Sequence, residues 1–395
     1  MPPLTGGRAF AALTFAFLVV MTGVTLPTPM YGFYQQEFGF SLSTVTVIYA
    51  VYAGGVLAAL LLFGRWSDVL GRRPVLLAGL AATLLSDIAF LAADATWALM
   101  IARVLSGVSA GIFVGAATAA VVEAAPPAWR GRAPLVATVA NIGGLGLGPV
   151  VAALLVDHLS WPTHLTFAAH LAVSVIAVVA VLAVPETVRR TPGQRVVIQR
   201  PQIPAGVRST FAGASIAGFA GFAVAGLLTA VSPRFVSQAL DDPSHVQQVS
   251  IVTLFFASAV LGQVLLRGLG TDLAVDIGCA LLTVGVLVLV WALEAESFTL
   301  LIVSAVIAGV GQGLSFSKGL ASILAKVDAH ERAGVSSAFF VIAYVAISVP
   351  VIGEGIAARH YGLTSSSVAF SLGAAVLAAL ALVALVVDQR RSAAA

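Results

Sequence analysis

The sequence predicts an all-α integral membrane protein with twelve transmembrane helices, arranged as two pseudo-symmetric six-helix bundles. Of its 395 residues, 59% are hydrophobic and only 9% are charged, whereas about a quarter of the residues of a soluble domain are charged. The apolar segments have the roughly 20-residue length that a helix needs to cross a bilayer. They are also more continuous than the alternating strands of a membrane barrel.

The first apolar segment follows Arg8 and could be a signal peptide. It is longer than the apolar region of a signal and lacks a small-residue cleavage site, so we interpret it as the first span. The predicted spans are centred near Leu18, Val51, Thr83, Gly111, Leu145, Val175, Gly221, Ala257, Leu282, Gly309, Tyr344 and Val376.

Basic residues are concentrated in alternate connections between the spans. On one side of the membrane the connections hold only Arg234 and Arg359, while the other side, which carries both termini, holds the remaining loop arginines. The positive-inside rule therefore predicts a multi-pass protein of the cell membrane with both termini in the cytoplasm. Orientation explains the basic residues, and we expect no nucleic-acid partner.

The two halves are related by weak internal similarity. Gly107 and Gly111 in the fourth span recur as Gly309 and Gly313 in the tenth, at an offset of about 200 residues, as a duplication requires. The longest polar connection separates six spans from six. The predicted divisions are an N-terminal bundle of residues 1–184, a cytoplasmic linker of residues 185–207 and a C-terminal bundle of residues 208–395.

The connection between the second and third spans is strongly charged for so apolar a chain. Gly64 and Gly71 permit sharp turns, while Arg72 and Arg73 hold the loop in the cytoplasm. An acid adds nothing to this orientation. Asp68 can instead face a helix N-terminus or a cation in one conformation and lose that partner in another.

At this spacing the loop resembles the loop 2-3 motif of the major facilitator superfamily, and the likeness extends over essentially the whole chain. The resemblance implies an alternating-access transporter in which Asp68 and Arg72 latch the cytoplasmic side, together with an acid that ends the fourth helix. Glu123 occupies that place, and the following Arg130 and Arg132 are similar to the family's loop 4-5. These residues form the predicted gating set.

The fourth span contains Arg103, in a setting that resembles the family's helix 4 motif. A charged group within a span normally faces the bundle interior and has a partner or a function. The resemblance implies a role in proton coupling or anion contact. The alternative is that the side chain extends to the nearby interface.

The fifth span carries Gly144, Gly148 and Pro149, which resemble a motif associated with antiporters of this superfamily. Small residues four apart let two helix backbones approach closely, and proline permits a bend. Packing alone would also explain the glycines. The resemblance nevertheless favours export over uptake.

Few other ionisable residues lie at the depth of the spans. A proton-coupled carrier needs a group that gains and loses a proton on opposite sides of the membrane. Asp87 and Glu354 are the acidic candidates, although each could instead be exposed at an interface, and His170 could relay protons or simply be hydrogen-bonded. Lys318 could extend to the cytoplasmic interface or bind an anionic group in the substrate cavity.

The fold analogy predicts a substrate cavity near mid-membrane, lined by aromatic residues and a few amides. Such a surface suits amphipathic organic molecules better than ions or phosphates. Neither a phosphate-binding glycine-rich loop nor a clustered set of metal ligands is evident, so we expect no cofactor, no metal and no enzymatic activity. The candidate lining residues are Tyr31, Tyr34, Asn141, Phe222, Gln263, Gln312, Phe316, Lys318, Phe340 and Tyr344.

Together these features predict a monomeric secondary transporter that exports a small lipophilic or amphiphilic compound in exchange for protons. Its expected partners are that substrate, protons and the lipid bilayer. A sugar or metabolite carrier, working by efflux or proton symport, is the main alternative. A membrane protein without transport activity is favoured least.

Overall fold

A computed structural model of the chain describes residues 4–63, 66–159, 161–188, 202–328 and 331–394. Within these ranges every regular element is helical. Twelve helical segments there are long and apolar enough to cross a membrane. Each contains the centre of one predicted span, so the predicted number and order of spans are confirmed.

The first span is broken near its end because Pro27 and Pro29 have no N–H to donate to the preceding turn. A 3₁₀ turn at Thr28–Met30 joins its two helical parts. The helices of the first half are α1 (Gly7–Thr25), α2 (Tyr31–Phe38), α3 (Leu42–Phe63), α4 (Trp66–Leu70), α5 (Arg72–Leu91), α6 (Thr96–Ala124), α7 (Ala133–His158) and α8 (Pro162–Leu182).

The second half contains six long helices. The second of them begins at a capping box, in which the Ser244 hydroxyl accepts from the Gln247 amide and the Gln247 side chain accepts from the Ser244 amide. The helices are α9 (Arg208–Ala239), α10 (His245–Leu265), α11 (Thr271–Glu294), α12 (Phe298–Ala325), α13 (Arg332–Tyr361) and α14 (Leu363–Ala394).

The described residues form two compact units. The first comprises residues 4–41 and 51–188, and the second comprises residues 42–50 and 202–394. The beginning of α3 thus groups with the second unit. Residues 189–201 of the predicted linker lie outside the described residues, so the boundaries at 185–207 remain a prediction.

In the first unit, glycines let α6 lie directly against the backbone of α3. A Cβ atom added to Gly111 would lie 2.7 Å from the Val56 carbonyl oxygen, and one added to Gly107 would collide with the Tyr52 carbonyl. No side chain larger than hydrogen fits at either position. We name this contact the α3–α6 seam.

The second unit repeats the arrangement between α10 and α12. Here Gly309 faces the Phe255 carbonyl and Gly313 faces the Ala259 carbonyl, again without room for a Cβ atom. The glycines are four residues apart on each helix, the spacing that lets membrane helices pack closely. This α10–α12 seam gives the sequence repeat a physical basis.

Helix α7 packs in a similar way against α1. A Cβ atom on Gly144 would lie 2.5 Å from the Cβ of Met21, and one on Gly148 would collide with the end of α1. The Thr25 hydroxyl also donates a 2.8 Å hydrogen bond to the Leu145 carbonyl. Pro149 follows within the uninterrupted α7. These contacts fix the position of α1, which carries part of the site described below.

Candidate functional site

The charged loop before α5 places Arg72 between two carboxylates. Its guanidinium donates to Asp68 at 2.5 Å, to Glu123 at 2.8 Å and to the Ser67 hydroxyl at 2.6 Å. The Asp68 and Glu123 side chains are 44% and 36% exposed. The Arg72 side chain between them is only 13% exposed and holds Glu123 through both Nε and Nη2, so the network is a partly buried, bidentate one rather than a pair of isolated surface contacts.

A carboxylate that the sequence analysis did not identify, Glu186, lies at the N-terminus of α5. It accepts from the Arg72 amide at 2.9 Å and from the Arg73 amide at 3.1 Å, two of the amides that lack a partner within the helix. Gly71 precedes them at φ 104°, and a Cβ atom there would be 2.7 Å from the Glu186 carboxyl carbon. The one sequence signal was an acid in an otherwise basic linker.

Two other gating candidates, Arg130 and Arg132, are not part of this network. Arg130 and Arg132 lie in the exposed 3₁₀ turn at Pro127–Arg132. Among the residues that the structure describes, neither side chain makes a hydrogen bond or an ion pair. Gly64 lies outside the described residues.

Within the span region, Asp87 and His170 form a buried pair that the sequence did not predict. Asp87 is on α5 and His170 is on α8, and they are 3% and 6% exposed. His170 Nδ1 is 2.9 Å from each oxygen of Asp87, and Nε2 is 3.0 Å from the Val19 carbonyl of α1. Gly23 provides the space, since a Cβ atom there would lie 2.8 Å from Nε2. Three helices therefore meet at one imidazole.

This geometry fixes how many protons the pair holds. The Val19 carbonyl can only accept, so Nε2 donates to it and carries a proton. One further proton must lie between Nδ1 and the Asp87 carboxylate, because two bare acceptors 2.9 Å apart would repel each other. This arrangement thus requires two protons, one on Nε2 and one shared between Nδ1 and the Asp87 carboxylate. Loss of the shared proton would leave two acceptors facing each other.

Arg103 is 1% exposed and lies inside the first unit rather than at its surface. Its Nη1 donates at 2.7 Å to the Val24 carbonyl in the last turn of α1. The guanidinium carbon lies 4.3 Å above the centre of the Tyr52 ring, a cation–π contact. Arg103 therefore ties α6 to α1 just before the proline break.

Two other candidates make contacts near the ends of helices. Glu354 is 4% exposed, and one of its carboxylate oxygens accepts from the Ser367 hydroxyl of α14 at 2.8 Å. The Lys318 ammonium donates to the carbonyls of Arg267 and Leu269, at 3.2 and 3.0 Å, in the connection between α10 and α11. Of the two possibilities for Lys318, the structure places its ammonium at this connection.

The aromatic candidates of the second unit form one cluster across α9, α12 and α13. Phe316 is at its centre, with ring-centre distances of 4.8 Å to Phe222, 5.1 Å to Phe339 and 5.9 Å to Phe340. Phe222 also lies 6.4 Å from Tyr344. The sequence identified four of these residues, and Phe339 completes the set. We name this group the aromatic cluster.

The polar candidates for the cavity lining do not form a cluster of their own. Gln312 is 2% exposed beside Gly221, and its amide oxygen has no hydrogen-bond partner among the described residues. The Gln263 amide donates to the carbonyl of the preceding turn. Of the first-unit candidates, Tyr31 and Tyr34 are buried and Asn141 is half-buried.

Among the described residues, no three or more histidine, cysteine, aspartate or glutamate residues lie close enough together to hold a metal ion.

Comparison with known proteins finds sequence relatives that include an MFS-type transporter and a tetracycline resistance protein. An uncharacterized MFS-type transporter of Mycobacterium tuberculosis is 29% identical over 161 residues, which is 41% of this chain and 23% of that protein. The class D tetracycline resistance protein of Salmonella ordonez is 34% identical over 116 residues, 28% of each chain. This chain thus spans about a quarter of the length of these curated relatives.

Solved structures match over almost the full length. The human organic anion transporter MFSD10 (TETRAN) aligns with a TM-score of 0.70 at 20% identity, over 96% of this chain and 99% of that chain. A POT family transporter in complex with 5-aminolevulinic acid aligns with a TM-score of 0.78 at 15% identity, over 97% and 98%. These matches confirm the predicted fold class. A family model described as Major Facilitator Superfamily matches residues 13–350, and the chain therefore belongs to that superfamily.

Proposed function

We propose that this protein is a secondary transporter that exports a small lipophilic or amphiphilic organic compound in exchange for protons, by alternating access. The observation that carries the proposal is the buried pair of Asp87 and His170. Ionisable residues inside a membrane span are costly and mark proton or substrate pathways. A pair that shares one proton between two helices, and contacts a third through the other imidazole nitrogen, would link proton loss to a change in helix packing.

The substrate class rests on the aromatic cluster and on the relatives. The rings are packed as a buried core in this structure. When the helices around them separate, they would present a surface with few polar groups, which favours a flat, lipophilic molecule over a sugar, whose hydroxyls require many hydrogen-bond partners. The sequence relatives named above include a tetracycline resistance protein, and an organic anion transporter shares the fold. Both names suit an organic substrate and make tetracycline a reasonable first compound to test.

The network of Asp68, Arg72 and Glu123 is proposed to act as a cytoplasmic latch. Its ion pairs are short and share one guanidinium that is mostly buried, while the two carboxylates remain partly exposed to water, so each acid can exchange this partner for water when the helices move apart. Asp68→Asn should slow transport and leave substrate binding largely intact. The charge distribution along the chain supports cytoplasmic termini, and we propose that the protein acts as a monomer in the cell membrane.

The proton claim can be tested in everted membrane vesicles that contain the protein. Addition of tetracycline, or of ethidium as a second lipophilic compound, should release protons from the vesicle interior as the compound enters. Asp87→Asn should reduce this release at least tenfold, because the variant cannot share the proton with His170. Glu354→Gln is the matched comparison, since it neutralises the other acid that is buried among the described residues.

Two results would contradict the proposal in different ways. Full proton release in Asp87→Asn, with loss in Glu354→Gln, would move the coupling site to α13. Vesicles that accumulate a sugar but none of a panel of lipophilic compounds would show that the substrate class is wrong.

A further inference from the structure

The connection between α6 and α7 carries an exposed tryptophan next to two exposed arginines. Trp129 is 45% exposed, and Arg130 and Arg132 follow it in the 3₁₀ turn Pro127–Arg132. Since α6 and α7 are both long and apolar enough to span the membrane, this turn lies at the surface of the bilayer. Tryptophan is enriched at that level because its ring is apolar and its N–H is a hydrogen-bond donor. We name residues 127–132 the arginine turn.

The arginine turn is held in a fixed conformation against α1. The carbonyl of the preceding Pro126 accepts from the Trp129 amide at 2.8 Å, and the first amide of α7 donates to the Arg130 carbonyl. The Trp129 ring lies 6.2 Å from the ring of Phe10 in the first turn of α1. Residues three apart in a 3₁₀ turn are eclipsed, so Trp129 and Arg132 leave it on the same side. An aromatic ring and a cation thus share one surface.

The charge of the two arginines is not cancelled within the described part of the chain. Neither side chain has a hydrogen-bond or ion-pair partner there. Glu123, the nearest acid along the sequence, is engaged by the Arg72 guanidinium and by the Thr187 hydroxyl, each at 2.8 Å. The donors of Arg130 and Arg132 are therefore available to a group that comes from outside the described residues.

Positive charge in this connection also orients the chain, but orientation does not require a tryptophan beside the charge. A soluble anion would match the guanidinium groups and leave the indole ring in water. An acidic phospholipid matches both features. Its phosphate accepts the paired donors of a guanidinium, and its glycerol backbone lies at the depth where tryptophan is found. In a zwitterionic phospholipid the ammonium of the headgroup neutralises the phosphate, so an acidic lipid is the better partner for two arginines.

We infer that the arginine turn binds the headgroup of an acidic phospholipid, with Arg130 and Arg132 holding the phosphate and the Trp129 ring beside the first carbons of the acyl chains. Such a lipid would join the α6–α7 connection and the start of α1 to the bilayer surface. The inference requires only binding, and neither export nor proton coupling enters it. Its test is therefore independent of the vesicle assay above.

Tryptophan fluorescence reports this contact. The chain has five tryptophans, and Trp129 becomes the sole one after Trp66→Phe, Trp97→Phe, Trp161→Phe and Trp291→Phe. The protein is placed in nanodiscs of phosphatidylcholine with a small share of phosphatidylglycerol, and one of the two lipids carries a nitroxide near its glycerol backbone. Each arginine near an anionic headgroup strengthens binding about fivefold. Nitroxide phosphatidylglycerol should therefore quench Trp129 with an apparent affinity at least about fivefold higher than that of nitroxide phosphatidylcholine.

Arg130→Ala combined with Arg132→Ala should reduce this preference at least about fivefold, because it removes both cations. The matched control is Arg208→Ala combined with Arg267→Ala, which removes two exposed arginines of the second unit on the same predicted side of the membrane and should leave the preference unchanged. Thermal unfolding in phosphatidylcholine verifies that each variant is folded. Equal quenching by the two nitroxide lipids when both arginines are present, or an equal loss in the two double variants, would overturn the inference.

Competition distinguishes a soluble anion from a lipid. Inorganic phosphate, compared with chloride at the same ionic strength, should not change the quenching by nitroxide phosphatidylglycerol. Displacement of the lipid by phosphate alone would assign the turn to a soluble anion and contradict our inference. The comparison of the two lipids needs no arginine variant, so it can refute the inference even if a double variant does not fold.

Discussion

Separating Asp87 from His170 should reveal whether a shared proton binds them more strongly than an ordinary membrane hydrogen bond. The perturbation is a double-mutant cycle with Asp87→Ala, His170→Ala and the double variant. Interhelical hydrogen bonds in membranes average about 0.6 kcal/mol in such cycles and reach about 1.7 kcal/mol. Removing one partner of a buried ion pair in soluble proteins costs about 3–5 kcal/mol.

The Asp87 pair should lie between these values. Both carboxylate oxygens are 2.9 Å from one imidazole nitrogen, and a bond with ionic character is roughly twice as strong as a neutral one. We expect a coupling free energy of about 2 kcal/mol, which corresponds to a factor of about 30 in the folding equilibrium. Each single variant should be destabilised by more than this, because it leaves a buried polar group alone.

The assay is reversible unfolding in mixed detergent micelles, followed by tryptophan fluorescence. The matched control is the pair of Thr83 and Ser109, whose hydroxyl oxygens are 2.6 Å apart in the same unit and equally buried. That neutral pair should give a coupling near 0.6 kcal/mol. Equal couplings for the two pairs would refute the shared-proton description of Asp87 and His170.

Two further predictions concern the packing of the first unit. Glu186→Ala should destabilise the start of α5 by about 1 kcal/mol, the usual cost of losing a helix cap. Hydrogen exchange at the first two amides of α5 should then accelerate. Unchanged exchange would mean that the carboxylate is not the cap. Gly111→Leu should prevent stable folding because it opens the α3–α6 seam. Gly115→Leu should be tolerated, since a Cβ atom there meets nothing within 4 Å. Comparable yields of monodisperse protein from the two variants would contradict this account of the seam.

The spans could be predicted from the sequence because most residues of a span must be apolar, which gives the whole segment a high mean hydropathy. Which side chains pair inside the membrane depends instead on how each helix is rotated about its axis. Asp87 and His170 were identified separately as ionisable residues, but their contact depends on how α5 and α8 are rotated about their axes. Because these helices are apolar on all sides, the sequence carries little information about that rotation.

Contacts between a side chain and the backbone were equally hard to predict from the sequence. Glu186 was not predicted because its partners are backbone amides of α5, and a backbone group leaves no signature in the side-chain pattern. The aromatic residues were grouped through the fold analogy. Phe222 does contact both Phe316 and Tyr344, while their place in a substrate cavity stays a prediction.

The two glycine seams have a mechanical consequence. Where Gly107 meets the Tyr52 carbonyl and Gly309 meets the Phe255 carbonyl, no side chains lie between the backbones. A packed side chain can change its rotamer and absorb a small sliding movement, but two backbones in contact have no such compliance. Each seam therefore couples a displacement of one helix to its neighbour, so that the two helices move as one rigid pair.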